Sequence, residues 1–352
     1  MRDAEGLATR LGDRARLGRV LADICARLRN VTGEHLRAIE VGQRALAIAA
    51  ESGDRALELE AQYRTGQAYF AIGDYRRALD LLSPCAEDAA GGRHQLPPLF
   101  ASWSQTWLAL TLSSLGRFTE ARSHAQEAIR IAEGANHPFT LAEALTGLGS
   151  VAFAQGDISE AVEVLERGRA LVRAWDHQPS AVLARLGHAL ALSGRPREAR
   201  DLLEEVARSA TTISSMGVGR AIQLAWLGEA HLLEARLDEA RQRAQEAMSL
   251  AQQHQERGHE AWALHLLGAI LACHDPCDLE KAEGHYRVAL TLAGELGMRP
   301  LVAHCHLGLG KLFRKVRPKH AREHLVMATT LYREMGMRVW QERADTEMGP
   351  LA

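Results

Sequence analysis

The chain has 352 residues, of which 24% are charged and 47% are hydrophobic, and its formal net charge at pH 7 is −2. This composition excludes a disordered chain and an overall attraction to nucleic acid or anionic lipid. No apolar run is long enough to cross a bilayer, and residues 1–20 contain five arginines and no apolar signal-peptide core. The five cysteines are odd in number and irregularly spaced, which is typical of reduced thiols. The sequence therefore predicts a cytoplasmic protein without a membrane partner.

The first predicted element is a short helical remnant at residues 1–12. The tetrapeptide Gly-Asp-Arg-Ala occurs at residues 12–15 and again at residues 53–56. At its second position it lies where one predicted helix pair ends and the next begins. The same boundary at the first position makes residues 1–12 the end of a second helix whose first helix is absent. We therefore expect the chain to begin within a truncated repeat, and the exposed end to support self-association.

A recurring phrase organises the rest of the chain: a turn residue, four further positions and then an alanine. TGEHLRA, IGDYRRA and QGDISEA are three of its copies. Successive alanines are 38 to 43 residues apart, a regular period that indicates a repeat architecture. The alanines are Ala38, Ala78, Ala121, Ala161, Ala199, Ala240, Ala282 and, in a degenerate copy, Ala321.

Each unit is predicted to contain two helices. Apolar residues at three- and four-residue spacing precede the phrase, as in Leu141, Leu145 and Leu148, and a second such run follows it. Glycine at the turn would end the first helix, and a following aspartate would cap the second. The predicted fold is all-α: a right-handed α-solenoid of about eight helix pairs with a period of about 40 residues. The solenoid covers residues 13–340, with units at approximately 13–53, 54–96, 97–136, 137–177, 178–216, 217–257, 258–297 and 298–336, and residues 337–352 form a C-terminal capping segment.

A small residue lies twelve positions before most of the phrase alanines, on the predicted first helix. These residues are Gly66, Ala109, Gly149, Gly187 and Gly228. We expect the two small sites of a unit to face each other, for example Gly149 and Ala161, so that the two helix backbones approach closely.

The combination of Gly66, Tyr69 three residues later and Ala78 twelve residues later resembles the tetratricopeptide repeat. On period alone a HEAT or armadillo array is the alternative, since those units have about 40 to 47 residues. The C-terminal stretches, above all residues 294–311, are similar to the C-terminal repeats of large bacterial signalling proteins. In that family a cyclase domain and an AAA or STAND-type ATPase precede the repeats. The resemblance implies a sensor or scaffold module, because the chemistry of the family belongs to the preceding domains.

No catalytic residue, metal ligand or cofactor is predicted. LGLGKL at residues 307–312 lacks the first glycine and the Ser/Thr of a phosphate-binding loop. The ligand types in Cys273-His274-Asp275-Pro276-Cys277 and His304-Cys305-His306 would suit zinc, but their spacing does not match a zinc finger, and positions 304 and 306 point about 200° apart on a helix. The basic stretch 311–322 has one aromatic residue and no platform for stacking bases, so a nucleic-acid partner is not expected.

The predicted binding surface is the concave side, which the first helix of each unit lines in a tetratricopeptide array. Exposed positions should fall three residues before, one after and four after the small packing residue, with further aromatic and charged residues one turn earlier. The partner-binding candidates are Tyr63, Gln67, Trp103, Thr106, Glu143, Ser150, His188, Glu229, Trp262, His265, His304, Lys311 and Arg314.

These observations predict a non-enzymatic scaffold that binds a protein or peptide segment, or a small effector, in its concave groove. The expected context is the regulatory module of a larger signalling ATPase, cyclase or transcription regulator. The alternative is a metal-dependent enzyme or metal-binding protein that uses the histidines and cysteines of the last three units.

Overall fold

The computed structural model describes residue 6 and residues 13–90, 97–173, 180–209, 219–273 and 278–349, which contain seventeen α-helices. A short π-helix, Leu28–Thr32, follows the first of them. The α-helices are α1 (Arg14–Arg27), α2 (His35–Ser52), α3 (Arg55–Ile72), α4 (Tyr75–Ala90), α5 (Pro98–Ser114), α6 (Phe118–Gly134), α7 (Pro138–Gln155), α8 (Ile158–Val172), α9 (Ser180–Leu192), α10 (Pro196–Ser209), α11 (Arg220–Leu233), α12 (Leu237–His254), α13 (Arg257–Ala272), α14 (Leu279–Leu296), α15 (Arg299–Phe313), α16 (Pro318–Glu334) and α17 (Arg338–Glu347).

Residues at the turns determine where the helices begin and end. The carboxylate of Asp54 accepts a hydrogen bond from the backbone N–H of Leu57 at 3.0 Å and caps the start of α3. Gly73 ends α3 with φ at 85°, and Gly156 ends α7 with φ at 110°. Glycine adopts this left-handed conformation without the Cβ clash of other residues, so a turn glycine stops the first helix in the units that have one, whereas Ala235, with φ at 58°, follows α11.

Consecutive helices pack as pairs, from α1 with α2 to α15 with α16, which we number as units 1 to 8. The first helices of neighbouring units also lie side by side, as α5 does with α7 and α11 with α13. No β-strand occurs in the segments that the structure describes. The predicted all-α solenoid of helix pairs is therefore confirmed, whereas the exact unit boundaries remain a prediction. No helix within those segments is long and apolar enough to span a membrane.

The predicted contact between Gly149 and Ala161 remains a prediction, and the atoms nearest to the open side of Gly149 belong to another side chain of the same second helix. A Cβ atom added at Gly149 would lie 2.5 Å from Cγ of Leu165, four residues beyond Ala161. Gly66 faces Leu82 and Gly187 faces Leu203 in the same way. The side chain four residues after the phrase alanine shares its helix face and fills the space that the glycine leaves.

Of the predicted helical remnant at residues 1–12, only Gly6 belongs to the described residues, and it is helical. Asp13 is the N-cap of α1, and its carboxylate accepts a hydrogen bond from the backbone N–H of Arg16 at 2.9 Å. The cap agrees with a helix beginning after residue 13, as the repeated tetrapeptide predicts.

The solenoid winds far enough for its later units to contact its first units. A ring nitrogen of His254 lies 3.2 Å from the carbonyl oxygen of Gly33, which is 221 residues earlier in the chain. A Cβ added at Gly116 would lie 2.4 Å from the Met335 sulfur, and one at Gly156 would lie 3.1 Å from the Trp340 ring. Several turn glycines in the first half of the chain thus contact residues near the junctions between later units. One superhelical turn therefore lies against the next.

A buried charged group lies at this contact between turns. Glu256, whose side chain is 2% exposed, is 3.0 Å from Nε2 of His35 and 2.7 Å from Nδ1 of His259. Burial alone would raise the pKa of Glu256, but its interactions with His259 and His35 outweigh burial and lower it to about 2. Because His35 belongs to α2 and Glu256 precedes α13, this hydrogen-bonded contact joins unit 1 to unit 7.

Candidate binding cavity

A cavity of about 940 Å³ lies on the inner side of the superhelix. Most of its lining comes from the first helices of units 2 to 8, and Trp340 of α17 also contributes. The volume lies within the roughly 300 to 1,000 Å³ typical of pockets that hold small ligands. An open solenoid would present a groove here, and the return of α15 and α17 towards units 3 and 4 narrows it to a cavity that remains partly open to solvent.

Three consecutive units contribute one ring each to a first aromatic cluster, formed by Phe153, His188 and Trp226. The ring centroids of His188 and Trp226 are 4.8 Å apart with the planes tilted by 31°. Phe153 approaches His188 edge-on, also at 4.8 Å. These rings form a preorganised apolar wall, since each is held by its neighbour.

A second aromatic cluster, formed by Trp262, His304 and Trp340, lies on α13, α15 and α17. The His304 ring centroid is 4.6 Å from that of Trp340 and 5.7 Å from that of Trp262. Nδ1 of His304 is hydrogen-bonded to the buried hydroxyl of Tyr332 at 2.8 Å, which fixes the ring orientation. The second cluster therefore depends on α17, which the sequence identified only as a cap.

Three histidines of the cavity, His188, His265 and His304, carry no charge near neutral pH. Burial lowers the pKa of His188 to about 3 and that of His265 to about 4. Burial, together with the neighbouring His265, Arg343 and His188, lowers the pKa of His304 to about 3. These rings consequently offer aromatic faces and single donors or acceptors, and the charge of the cavity comes from other residues.

The charged residues in the lining are mostly basic. They are Arg185, Lys311, Arg314 and Lys315, against the single carboxylate of Glu229. Glu347 of α17 lies 3.5 Å from Lys311 and 2.9 Å from Arg314, and so compensates part of this charge. Cations still outnumber carboxylates around the cavity, and the surplus favours an anionic group in a ligand.

Glu229 has no strong cationic partner among the described residues. Its nearest polar neighbour, Nδ1 of His188, is 3.4 Å away but is not aligned for a hydrogen bond. Burial raises the pKa of Glu229 to about 7, with Arg343 opposing the shift. Near neutral pH the side chain is therefore partly protonated and able to donate a hydrogen bond.

The guanidinium of Arg185 is not paired with any carboxylate of the described residues. Its Nη1 donates a hydrogen bond to the carbonyl oxygen of Ala181 at 3.4 Å, while its Nε is buried and has no partner among the described residues. Burial lowers the pKa of Arg185 and raises that of Glu143; each group opposes the other's shift, but the two do not form an ion pair. A buried guanidinium without a paired carboxylate is costly unless a ligand supplies one.

The structure places eight of the predicted binding residues in the cavity lining. They are Ser150, His188, Glu229, Trp262, His265, His304, Lys311 and Arg314. Seven of them belong to first helices, from α7 to α15, and Arg314 directly follows α15. From unit 4 onward the predicted stripe and the cavity therefore coincide except at Glu143.

The other five predicted residues, Tyr63, Gln67, Trp103, Thr106 and Glu143, lie outside the lining. The amide of Gln67 donates a hydrogen bond to the Tyr63 hydroxyl at 2.8 Å. Tyr63 and Trp103 both pack edge-on against the ring of Phe100, each at 5.6 Å. Around Tyr63 and Trp103, side chains of units 2 and 3 therefore fill the inner side of the superhelix and leave little room for a ligand.

Three residues of the cavity, Arg185, Trp226 and Trp340, were not predicted from the sequence. The first two lie two residues before the packing glycines of their units, a position that the stripe rule did not include. A large or charged residue two positions before the small packing residue is therefore the sequence signal that could have identified both as cavity residues. Trp340 could be recognised only from the contact of α17 with Gly156, which depends on the superhelix and not on the repeat pattern.

The described residues show no metal site. No group of three His, Cys, Asp or Glu side chains within the described ranges is arranged to hold a metal ion, and residues 274–277 of the proposed cluster lie outside those ranges. His304 points into the cavity, whereas Nδ1 of His306 lies 2.8 Å from Nδ1 of His324 on α16. The two histidines thus face different directions.

A family model described as tetratricopeptide repeat matches residues 100–174 and 140–212, and a second model of the same description matches residues 60–83. No protein of curated function matches the sequence. The matched segments contain the helix pairs of units 3 to 5 and part of unit 2.

Solved structures with the same fold include a Rap protein complexed with competence and sporulation factor, with a TM-score of 0.63 and 15% identity over 80% of this chain and 76% of that one. A STAND protein with a tetratricopeptide repeat sensor from Pyrococcus horikoshii aligns with a TM-score of 0.49 and 13% identity, over 95% of this chain and 52% of that one. A putative kinesin light chain from Podosopora anserina aligns with a TM-score of 0.39 and 24% identity, over 55% of this chain and 96% of that one. At 15% identity the likeness to the Rap protein concerns the fold alone.

Proposed function

We propose that this chain, which matches tetratricopeptide-repeat models over residues 60–83 and 100–212, is a non-enzymatic interaction module that binds a short peptide segment or a small effector in the cavity on the inner side of the superhelix. The observation that carries the proposal is the cavity of about 940 Å³ between the first helices. Rigid aromatic residues provide contact area at little entropic cost, and a few polar groups fix the orientation of a ligand. The two aromatic clusters and the charges of Arg185 and Glu229 have this composition.

The Rap structure contains competence and sporulation factor, and the shared fold makes a ligand on the inner side of this superhelix a natural comparison. The proposal for this chain rests on its own cavity, since the identity of 15% extends to the fold alone.

We further propose that the module regulates a larger bacterial signalling protein in the cytoplasm. The similarity of residues 294–311 to repeats that follow cyclase and ATPase domains supports this role. The thiols of Cys25, Cys85 and Cys305 are buried, and burial raises the pKa of Cys25 to about 11, so these cysteines act as packing residues suited to a reducing compartment. No observation in the described residues favours the alternative of a metal-dependent enzyme.

A cavity-filling substitution tests the binding function. Ala269 lines the cavity, and Ala269→Trp would occupy space that a ligand needs. The exposed Gln242 of α12 provides the matched control Gln242→Trp. We expect the wild type and Gln242→Trp to retain members of a randomised hexapeptide pool, detected by mass spectrometry, and Ala269→Trp to retain none while its melting temperature shows that it is folded. Equal retention by all three proteins would show that the peptides bind elsewhere.

A further inference from the structure

We propose that units 1 to 3 bind a small inorganic oxoanion, such as phosphate, between the guanidinium groups of Arg29 and Arg64 and the indole N–H of Trp103. The three side chains share one feature: each buries N–H groups that have no acceptor among the described residues. None of these three residues lines the cavity, so the anion site is separate from the peptide or effector site and does not depend on the proposed function.

Arg29 is a buried cation whose donors are not satisfied by the chain. It belongs to the π-helix Leu28–Thr32, its exposed fraction is 5%, and its Nε and Nη1 are buried and have no hydrogen-bond partner within the described ranges. The guanidinium lies over the ring of Trp107, 5.1 Å from the ring centroid. Such a cation–π contact uses the face of the guanidinium and leaves its in-plane N–H donors free.

Arg64 of α3 and Trp103 of α5 supply further donors. The Arg64 guanidinium lies 5.3 Å from the centroid of the Phe100 ring. Its Nη2 is 3.3 Å from the carboxylate of Glu60 and 3.8 Å from that of Asp23, so part of its charge is compensated. Nε of Arg64 and Nε1 of Trp103 are nevertheless buried without an acceptor among the described residues. A buried donor without a partner destabilises the fold, and a bound acceptor removes that cost.

Helix α5 brings these donors to one face. Phe100, Trp103 and Trp107 are separated by three and four residues and therefore lie on the same side of the helix. Because Arg64 stacks on Phe100 and Arg29 stacks on Trp107, the indole of Trp103 lies between the two guanidinium groups along α5. A tetrahedral oxoanion has several acceptor oxygens, which match donors that come from three separate side chains.

The charges around these donors favour an anion. Burial lowers the pKa of Arg29 to about 10, and repulsion from Arg64 acts in the same direction, so Arg29 keeps its charge at neutral pH. The neighbouring Cys25 and Tyr63 are neutral there, because burial raises the pKa of both groups. The two guanidinium groups are thus compensated only on the side of Arg64, and an anion between them would pair with both.

The space near Trp103 limits the anion to a few atoms. The ring of Phe100 lies edge-on to Tyr63 and to Trp103, with the centroids 5.6 Å apart in both pairs, so an organic ligand has little room. The two arginine side chains are long and rotatable, and small movements of them admit an ion. Guanidinium and indole groups donate hydrogen bonds and accept none, so an oxoanion is a better complement than a neutral molecule with donors of its own.

Calorimetric titration with sodium phosphate, in chloride buffer of constant ionic strength, tests the site. We expect the wild type to bind one phosphate per chain, and Arg29→Met should weaken this binding about tenfold or more, because a charge-assisted hydrogen-bonding partner is lost. Trp103→Phe keeps an aromatic ring and removes the indole N–H, and it should weaken phosphate binding to a smaller extent. Arg27→Met, which removes an exposed cation two residues before Arg29, should leave the affinity unchanged.

Melting temperatures distinguish an anion site from a purely structural role of Arg29. In chloride alone, Arg29→Met should unfold at or above the wild-type temperature, since the change removes a buried cation without an ion pair. Phosphate should raise the melting temperatures of the wild type and of Arg27→Met more than that of Arg29→Met, because a ligand stabilises only the protein that binds it.

Three results would overturn the anion site. The first is the absence of saturable phosphate binding to the wild type, or equal affinities of the wild type and Arg29→Met; if Arg29→Met does not fold, an unchanged affinity of Trp103→Phe has the same meaning. The second is equal stabilisation by chloride at matched ionic strength, which would exclude a preference for an oxoanion. The third is tighter binding of adenosine monophosphate than of phosphate, which would show that the ligand is a larger molecule. Peptide binding in the cavity is tested separately by the hexapeptide pool.

Discussion

At the scale of single residues, burial in the cavity changes the chemistry of the side chains that line it. Glu229 is a surface-type carboxylate by sequence, yet burial raises its pKa to about 7. His188, 3.4 Å away, has its pKa lowered to about 3 by the same cause. Burial disfavours the charged form of each group, so the acid keeps its proton and the base remains without one.

Glu229→Gln should make the stability of the protein less dependent on pH. Because the pKa of Glu229 is higher in the folded state than the usual value near 4.5, its carboxyl group stabilises the fold fully below about pH 4.5, and this contribution is lost as the pH rises through 7. We expect the melting temperature of the variant, relative to the wild type, to rise between pH 5 and pH 8. The effect at pH 8 should be on the order of 1 kcal/mol, because the side chain is 33% exposed and water screens the charge. A constant difference across this range would contradict the raised pKa.

A pair of glycine substitutions tests the packing inside a unit. Gly149→Ala should destabilise the fold by about 1 to 3 kcal/mol, because the new Cβ would lie 2.5 Å from Cγ of Leu165. A Cβ added at Gly284, on α14, would have no neighbouring atom within 4 Å, so Gly284→Ala should stabilise its helix by about 0.5 to 1 kcal/mol. Denaturant unfolding of both variants measures the difference. Similar stabilities would show that Leu165 does not occupy the space at Gly149.

At the scale of the secondary-structure elements, the turn glycines have two roles. Gly33 and Gly53 both end a helix in the left-handed conformation, with φ of 68° and 66°. Of these two glycines, only Gly33 also contacts the adjacent superhelical turn, since a Cβ added at Gly33 would lie 2.4 Å from Nδ1 of His254. Gly53 has no neighbour within 4 Å at that position.

Gly33→Ala and Gly53→Ala should therefore differ in their effect on stability. Both variants bear a similar backbone strain of about 1 kcal/mol or more from the left-handed conformation. Gly33→Ala should lose additional stability, because the His254 ring must move and its contact with the Gly33 carbonyl is disturbed. The free energies of unfolding of the two variants provide the measurement, and equal losses would show that the contact between turns contributes nothing.

At the scale of the whole molecule, the sequence predicts the local architecture well and the cavity only in part. The phrase alanines locate every helix pair from α1 to α16, because a turn glycine and helical periodicity are local signals. The enclosure of the cavity depends on how small rotations between units add up over many repeats. The contact of His254 with Gly33, 221 residues apart, follows from this sum and has no signature in either segment.

The contacts between superhelical turns also explain why some of the predicted binding residues line the cavity and others do not. His188, Glu229 and Trp262 follow from the position of the first helix within a unit, and the structure places them in the cavity lining. Trp103 and Glu143 occupy comparable positions, but side chains such as Phe100 fill the space in front of Trp103 in the early units. A rule based on positions within a single unit cannot distinguish these cases, because it takes no account of side chains from neighbouring units and from the adjacent superhelical turn.

The most direct test of the account is calorimetric titration of a peptide selected from the hexapeptide pool into three proteins: the wild type, Trp226→Ala and Arg167→Ala. Trp226 belongs to the first aromatic cluster in the cavity, whereas Arg167 is an exposed residue of the second helix α8, paired with Glu133 at 2.8 Å. The account predicts that Trp226→Ala weakens binding at least tenfold, the scale of an aromatic hot-spot residue, and that Arg167→Ala binds like the wild type. Unchanged affinity of Trp226→Ala together with loss of binding in Arg167→Ala would contradict it, and would place the interaction on the outer surface of the solenoid.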